Sequence, residues 1–165
     1  MNIVSLAREH DRKRFDCGDD SVTAFLRESA FHDQKLLLSR TSVLIDEHAD
    51  ATIIVGFHTL LVSTVDQESI PDDKPRIKRK IPVILLGQLD VDLEFQGRNF
   101  GNLLLTDVEF RVGEISKHVG IRCLALDTRN ENLAKWYEKR GFVRFHGSLR
   151  MFKSVQDITR FVSSG

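Results

Sequence analysis

A nearly continuous apolar run, followed at once by a glycine-containing turn and a long amphipathic segment, limits the fold of this chain more than any other feature. Residues 83–91 are mostly apolar, which is typical of a strand buried on both faces at the centre of a sheet. The turn at residues 96–101 carries two glycines, and apolar side chains then recur at helical spacing from residue 100 to residue 117. A buried strand, a tight turn and a helix in this order predict an α/β domain.

The other elements follow from shorter patterns of the same kind. Further strands are predicted at residues 2–6, 41–45, 52–65, 121–126, 142–145 and 149–153, the last two as a hairpin around Gly147. Helices are predicted from Asp19 to about residue 37 and over residues 130–140, the second closed by Gly141 in a left-handed conformation. Residues 66–82 hold all three prolines of the chain and indicate a loop. We therefore expect a mixed central sheet of about six or seven strands flanked by helices.

Length and composition narrow the class of protein. A chain of 165 residues with 41% hydrophobic content fits one domain over residues 1–165. The apolar runs fall short of the roughly 18 residues that span a bilayer, and the charged start differs from a secretion signal. Two cysteines and six scattered histidines provide neither a disulfide framework nor a metal site. We expect a cytoplasmic protein with no membrane partner and no metal.

The charge of the chain is balanced, because Lys plus Arg and Asp plus Glu each number 24. The overall field therefore gives no argument for a nucleic-acid partner. One local run departs from this balance, with five cations within seven residues: Lys74, Arg76, Lys78, Arg79 and Lys80. Such a run either binds RNA phosphates or is a solvated basic loop.

The turn at residues 96–101 is the candidate ligand site. Glycine lets the backbone approach a ligand closely, and the first amides of the following helix favour a bound phosphate. Glycines also begin helices that bind nothing, so spacing alone leaves both interpretations open.

A resemblance to a known family favours the ligand site. The pattern Gln96-x-x-Asn99-x-Gly101 resembles the acyl-coenzyme A signature of the GNAT acetyltransferases, and Asn132-x-Ala134-x-x-Tyr137 resembles their second cofactor-facing helix. The resemblance implies acetyl-CoA as co-substrate. It also implies the residues that hold acetyl-CoA, which are Leu89, Asp90, Val91, Gln96, Gly97, Arg98, Asn99, Phe100, Gly101 and Asn132. Asn99 stands where the family has glycine. Asparagine tolerates a left-handed backbone better than other non-glycine residues.

A narrower resemblance covers most of the chain. The segments Phe15-Asp16-Cys17-Gly18, Ser39-Arg40-Thr41 and Leu86-Gly87-Gln88-Leu89-Asp90 are similar to the GNAT toxins of bacterial toxin–antitoxin pairs. This resemblance implies that the α-amino group of an aminoacyl-tRNA is acetylated, which blocks translation. It also implies neutralisation by a ribbon-helix-helix antitoxin and suggests a homodimer. Lys78, Arg79, Lys80 and Arg98 are then the candidate contacts to the tRNA.

Tyr137 is the only tyrosine of the chain and coincides with the general-acid position of the family. With a reference pKa of about 10, a phenol stays protonated at neutral pH and can donate to a departing thiolate. Alternatively, its ring packs locally beside Trp136. Asp90 and Asp92 are expected on one face, either to steer the amine or as ordinary strand-end carboxylates, and Asn132 either contacts the cofactor or caps its helix.

Two other functions remain open from the residues alone. One is a GNAT acetyltransferase of a small amine or a protein N-terminus, which the neutral charge mildly favours. The other is a non-catalytic module that binds coenzyme A. It is considered because Asn99 stands where the family has glycine.

Overall fold

A computed structural model of the protein describes residues 1–70, 79–146 and 148–162. The strands are β1 Asn2–Ser5, β2 Arg40–Ile45, β3 Gly56–Val65, β4 Ile81–Val91, β5 Cys123–Asp127, β6 Val143–Arg144 and β7 Arg150–Ser154. The α-helices are α1 Asp20–Ala24, α2 Ala30–Lys35, α3 Phe100–Ser116, α4 Glu131–Glu138 and α5 Val155–Val162. A π-helical turn at Phe25–Ser29 joins α1 to α2, and 3₁₀ turns lie at Gln67–Ser69 and Leu93–Phe95.

The strands form one mixed sheet of seven strands in the order β1-β2-β3-β4-β5-β7-β6. The pairs β1–β2, β2–β3, β5–β7 and β6–β7 are antiparallel, and β4 runs parallel to β5. The predicted fold class and the central place of β4 are therefore confirmed. The hairpin of β6 and β7 is also confirmed, whereas Gly147 lies outside the described residues.

The chain divides into two compact units. One consists of Met1–Leu61 and Gly87–Val108, and the other of Val62–Leu86 and Glu109–Gly165. The assignment of residues 1–165 to one domain stays a prediction.

The core of the first unit forms where α1 and the π-helical turn cover β2 and β3. Asp19 begins the helix, as predicted, since its Oδ1 accepts hydrogen bonds from the backbone amides of Ser21 and Val22, both at 3.0 Å. The rings of Phe15 and Phe57 then meet edge to face at 5.3 Å, and both are fully buried. Burial of each such ring contributes roughly 1.5–3 kcal/mol to folding.

The core of the second unit lies along β5, where Cys123, Ala125 and the facing Phe152 of β7 are buried. Cys123 lies in an apolar run of the sequence, and the structure places it in this core. Helix α5 follows β7 directly and was not predicted from the sequence. Ser154 begins it, because its Oγ accepts from the Asp157 amide at 3.1 Å. The Ser-x-x-Asp pattern ahead of an apolar residue was the signal for this helix.

Three predicted boundaries were wrong. Strand β3 starts at Gly56 instead of residue 52, because Asp50 accepts from the amide and hydroxyl of Thr52 and makes a turn. Strand β4 starts at Ile81 and includes Pro82, which lacks an amide donor but accepts from the Arg122 amide at 3.0 Å. Helix α3 ends at Ser116, one residue before the predicted end at residue 117. Val119 therefore lies beyond the helix and is exposed.

The burial of β4 also differs from the prediction. Its first half is largely buried, as expected for a central strand, but Gly87 is exposed and the next three residues are half-buried. The end of β4 that leads into the candidate site is therefore accessible.

Candidate acyl-CoA site

The segment between β4 and α3 is held in place by side chains of the first unit. Asp92 begins the 3₁₀ turn: its Oδ1 accepts from the Glu94 amide at 2.9 Å and its Oδ2 from the Asp16 amide at 3.0 Å. Its side chain is buried. Because β4 ends at Val91, Asp92 does not share a strand face with Asp90, and that expectation was wrong. Asp92 acts here as a turn residue.

The Gln96 side chain bonds the loop to neighbouring backbone. Its side-chain Nε2 donates to the backbone carbonyl of Val91 at 2.9 Å and to that of Cys17 at 3.1 Å. These two bonds tie the loop to the end of β4 and to the segment that precedes α1. The amide side chain thus sets the shape of the loop. A contact of Gln96 with the cofactor stays a prediction.

The loop contains two residues with a left-handed backbone, Gly97 at φ 78° and Asn99 at φ 67°. A Cβ built on Gly97 would meet nothing within 4 Å, so the backbone conformation, and not crowding, favours glycine there. Asn99 adopts the same region without glycine, and its Oδ1 accepts from the Asn102 side chain. The departure from the family glycine is therefore accommodated by the loop.

Helix α3 begins directly after this loop, at Phe100, and runs for 17 residues. The four residues that precede it are exposed. The first-turn amides of any α-helix have no acceptor within the helix, and the helix dipole is positive at this end. An exposed loop that leads into such a helix start is suited to bind a phosphate.

Gly56 allows the start of α3 to lie close to the end of β4. A Cβ on Gly56 would come within 2.9 Å of both the Asp90 carbonyl oxygen and Leu104 Cδ1. Leu104 is fully buried and packs with Val91 and Leu44. Only glycine fits at this contact, and the sequence carried no signal for it.

The last residues of β4 were predicted to receive the thioester. Leu89 and Asp90 are half-buried, and Val91 is buried. The Val91 amide donates to Asp90 Oδ1 at 3.0 Å, so this amide is directed to a neighbouring carboxylate. The role of these three residues in docking acetyl-CoA stays a prediction.

Tyr137 belongs to the second unit and lies near the end of α4. Its side chain is buried to 5% exposure, with its ring edge-to-face against Trp136 at 4.9 Å and against Phe142 at 5.2 Å. The local packing that was the alternative to a catalytic role is thus present. It is also compatible with that role, because packing on two sides fixes the direction of the phenol.

The backbone around Tyr137 is fixed as well. Its carbonyl accepts from the Arg140 amide at 2.9 Å and from the Phe142 amide at 3.2 Å. Gly141 has φ 88°, which confirms the predicted left-handed end of the helix. The Arg140 guanidinium lies 3.5 Å from the centre of the Trp136 ring, and burial lowers its pKa.

Helix α4 is capped by Asn130 and not by Asn132. Asn130 Oδ1 accepts from the Leu133 amide at 2.9 Å, so Asn130 is the cap and Asn132 is not. Asn132 is exposed in the first turn. Its contact with the cofactor stays a prediction.

The basic residues proposed for tRNA binding lie in different units. Arg79 and Lys80 are exposed in the second unit, and Lys80 pairs with Asp66 at 2.8 Å. Arg98 is in the first unit, with its guanidinium 5.6 Å from the centre of the Phe95 ring. Lys78 lies outside the described residues.

The part of the chain that the structure describes contains no group of three or more His, Cys, Asp or Glu side chains arranged to hold a metal ion. Within the same residues, no helix combines the length and apolar character required to cross a bilayer.

Within the described residues, the mixed seven-stranded sheet and its flanking helices have the fold of the GNAT N-acetyltransferases. No protein-family model matches the chain. The tRNA-acetylating toxin of Mycobacterium tuberculosis (strain ATCC 25618 / H37Rv) is 28% identical over 131 residues, 77% of this chain and 75% of that protein. The expected resemblance to GNAT toxins is confirmed.

Solved structures show the same likeness. A tyrosine-to-phenylalanine mutant of KacT has a TM-score of 0.90 at 26% identity, covering 97% of this chain and 98% of its own. AtaT complexed with acetyl-methionyl-tRNAfMet shares the fold, with a TM-score of 0.88, 24% identity and 98% coverage of both chains. So does a mutant AtaT toxin bound to the C-terminus of the antitoxin AtaR and acetyl-CoA, with a TM-score of 0.82, 24% identity, and 98% and 97% coverage.

Proposed function

We propose that this protein acetylates the α-amino group of an aminoacyl-tRNA with acetyl-CoA, which blocks translation. The observation that carries the proposal is the exposed loop with left-handed Gly97 and Asn99, which follows the accessible end of β4 and leads into the start of α3. This arrangement suits the diphosphate of acetyl-CoA. The likeness to a tRNA-acetylating toxin supports the substrate.

The reaction requires little acid–base catalysis from the protein. An α-amino group has a pKa of roughly 7.7–8.0, so a useful fraction is neutral at cellular pH without a strong base. Its nitrogen forms a bond to the acetyl carbon while the carbon–sulfur bond breaks, and the amine proton passes to solvent. Tyr137 donates its phenolic proton to the departing thiolate and is reprotonated from water.

Residues of the first unit hold and orient acetyl-CoA in this proposal. The amides at the start of α3, after Gly97 and Asn99, receive the diphosphate, and Gln96 keeps the loop in shape through its two backbone bonds. The backbone of Leu89, Asp90 and Val91 is the proposed dock for the thioester arm.

The tRNA is held through its phosphates by basic side chains. Arg79, Lys80 and Arg98 are exposed, so they are available to a polyanion. Lys78 completes the predicted set. Because exposed cations act mainly through counterion release, their contribution should fall steeply with salt.

The partners and the location of the protein are also part of the proposal. We propose that a ribbon-helix-helix antitoxin neutralises the enzyme, that the enzyme forms a homodimer and that it works in the cytoplasm. The AtaT toxin bound to the C-terminus of its antitoxin supports an antitoxin of some kind. A cytoplasmic site agrees with a tRNA substrate and with two buried cysteines that are not joined in a disulfide.

The alternatives have less support. A silent coenzyme A-binding module was motivated by Asn99, but Asn99 adopts the left-handed conformation that the loop requires. Acetylation of a small amine or a protein N-terminus is favoured only by the balanced charge of the chain.

Mass spectrometry of charged tRNA after incubation with isotope-labelled acetyl-CoA tests substrate and reaction together. We expect the label on the aminoacyl group and none on uncharged tRNA, and we expect Tyr137→Phe to reduce the labelling strongly. Labelling of free amines or peptides, with charged tRNA left unmodified, would contradict the proposed substrate. Induced expression should also arrest growth, and Tyr137→Phe should relieve the arrest.

A further inference from the structure

Lys153 is a buried lysine in the next-to-last strand of the sheet. It lies in β7 opposite Leu124 of β5, and only 5% of its side chain is exposed. Lysine is almost never buried this deeply unless it is paired. Its Nζ donates to Glu109 Oε1 of α3 at 2.7 Å and to the Arg140 carbonyl at 2.9 Å.

The second of these bonds supports the turn that follows α4. Arg140 directly follows Lys139, the C-cap of α4, and the bond from Lys153 to its carbonyl holds this turn. The amide of the same residue, Arg140, donates to the Tyr137 carbonyl at 2.9 Å. Lys153 is therefore linked to the backbone of Tyr137 through a single residue.

Lys153 also lies against the residues that pack on Tyr137. A Cβ on Gly141 would come within 3.4 Å of Lys153 Cε, and Nζ lies 5.7 Å from the centre of the Phe142 ring. That ring contacts Tyr137 edge to face at 5.2 Å. The lysine thus borders both the turn and the ring that orient the phenol.

Stability alone explains such a pair poorly. Removing two charges from water costs several kcal/mol per ion, and hydrophobic replacements of buried pairs are often neutral or stabilising. A charged residue at this position is better explained if it fixes one local conformation. The neighbours of Lys153 indicate that the geometry is that of Tyr137.

We propose that Lys153, held by Glu109, is a positioning residue that fixes the turn after α4 and thereby the direction of the Tyr137 phenol. The proposal rests on the proposed function of Tyr137 as general acid. Lys153 acts only through other residues and does not touch the substrate.

The decisive variant is Lys153→Met, which keeps an unbranched chain and removes the charge. We expect kcat for charged tRNA to fall about 10- to 100-fold, as for a small misplacement of a reacting group, with the Kd for acetyl-CoA unchanged within about twofold. In the double variant with Tyr137→Phe, the loss should be no greater than in Tyr137→Phe alone. Lys135→Met, an exposed lysine on α4, is the matched control and should behave like the parent.

A measurement independent of activity is available because the chain has one tyrosine. NMR of protein with ¹³C-labelled tyrosine should show the ring resonance of Tyr137 shifted or broadened in Lys153→Met and unchanged in Lys135→Met. Glu109→Gln, which preserves volume, should give the same changes at smaller amplitude and serves if Lys153→Met does not fold.

Two results would overturn the proposal: an unchanged kcat and tyrosine resonance in either variant, or a loss in the double variant equal to the product of the single losses. The proposed function fails in a different way, if Tyr137→Phe retains full activity. In that case the NMR comparison still decides whether Lys153 positions the ring.

Discussion

Two left-handed glycines mark turns of opposite kind in the two units. Gly97 in the first unit has φ 78° and an added Cβ would meet nothing within 4 Å. Gly141 in the second unit has φ 88°, and a Cβ there would lie 3.4 Å from Lys153 Cε, an ordinary contact. The first turn is open at this position, and the second packs on a buried lysine.

The difference follows from which end of a helix each turn serves. The turn at Gly97 leads into α3. The first amides of α3 lack acceptors within the helix and are the proposed site for an external anion. The turn at Gly141 follows α4, and Lys153 satisfies the Arg140 carbonyl from within the protein. A turn that binds a ligand keeps its polar groups available, whereas a turn that positions a side chain has them already bonded.

The largest effect is expected at the residue that the packed turn holds. Tyr137→Phe should lower kcat about 10²-fold or more, because general-acid catalysis contributes roughly 10²–10⁴-fold. The Kd for acetyl-CoA, measured by calorimetry, should stay within about twofold of the parent. A weakened affinity with unchanged kcat would mean that the packed turn serves binding, and the distinction between the turns would break down.

Gly141→Ala should lower kcat more than Gly97→Ala does. The left-handed backbone costs a side chain about 1–2 kcal/mol, and the added methyl group would lie 3.4 Å from Lys153 Cε, so a shift of the strained turn would reach the lysine. We expect urea unfolding to show a loss of about 1–2 kcal/mol, together with a reduced kcat. A variant as stable as the parent would show that the turn relaxes freely.

Gly97→Ala should cost a similar amount of stability, about 1–2 kcal/mol, because the backbone conformation is strained in the same way. Its functional effect should instead appear in a weaker Kd for acetyl-CoA, since strain in the loop displaces its amides. A reduced kcat with an unchanged Kd in Gly97→Ala would contradict the contrast between an open and a packed turn.

The smallest effect is expected at Asn99. Because Asn99 already has φ 67°, Asn99→Gly should change the Kd for acetyl-CoA by less than about threefold, or below about 1 kcal/mol. Asn99→Val is the control and should weaken binding clearly, since a β-branched residue is strained in this conformation. A tenfold tighter Kd in Asn99→Gly would show instead that the asparagine side chain crowds the phosphates.

Local patterns predicted most of the fold, and their failures have local causes. The central place of β4, the start of the first helix at Asp19 and the left-handed Gly141 followed from periodicity and capping. The start of β3 was misplaced because the Asp50–Thr52 turn lies inside a β-branched run. Helix α5 was missed although Ser154 and Asp157 form a capping pattern.

The candidate site was predicted less completely than the fold. The loop and Tyr137 were named from motifs, but the bonds from the Gln96 side chain to the backbone of Cys17 and Val91 were not predicted. The capping role went to Asn130 and not to Asn132. Sequence motifs identify which segment matters but not which atoms of it are already bonded.

The sequence by itself determined the features that depend on neighbours along the chain: the order of elements, the turn that tolerates left-handed residues and the identity of the lone tyrosine. Only the tertiary structure decided that Gly56 must lack a side chain beside Asp90 and Leu104, and that Lys153 is buried against Glu109, 44 residues away. The physical reason is that backbone conformation and periodicity are short-range properties. Burial and the pairing of a charge depend instead on which distant elements pack together.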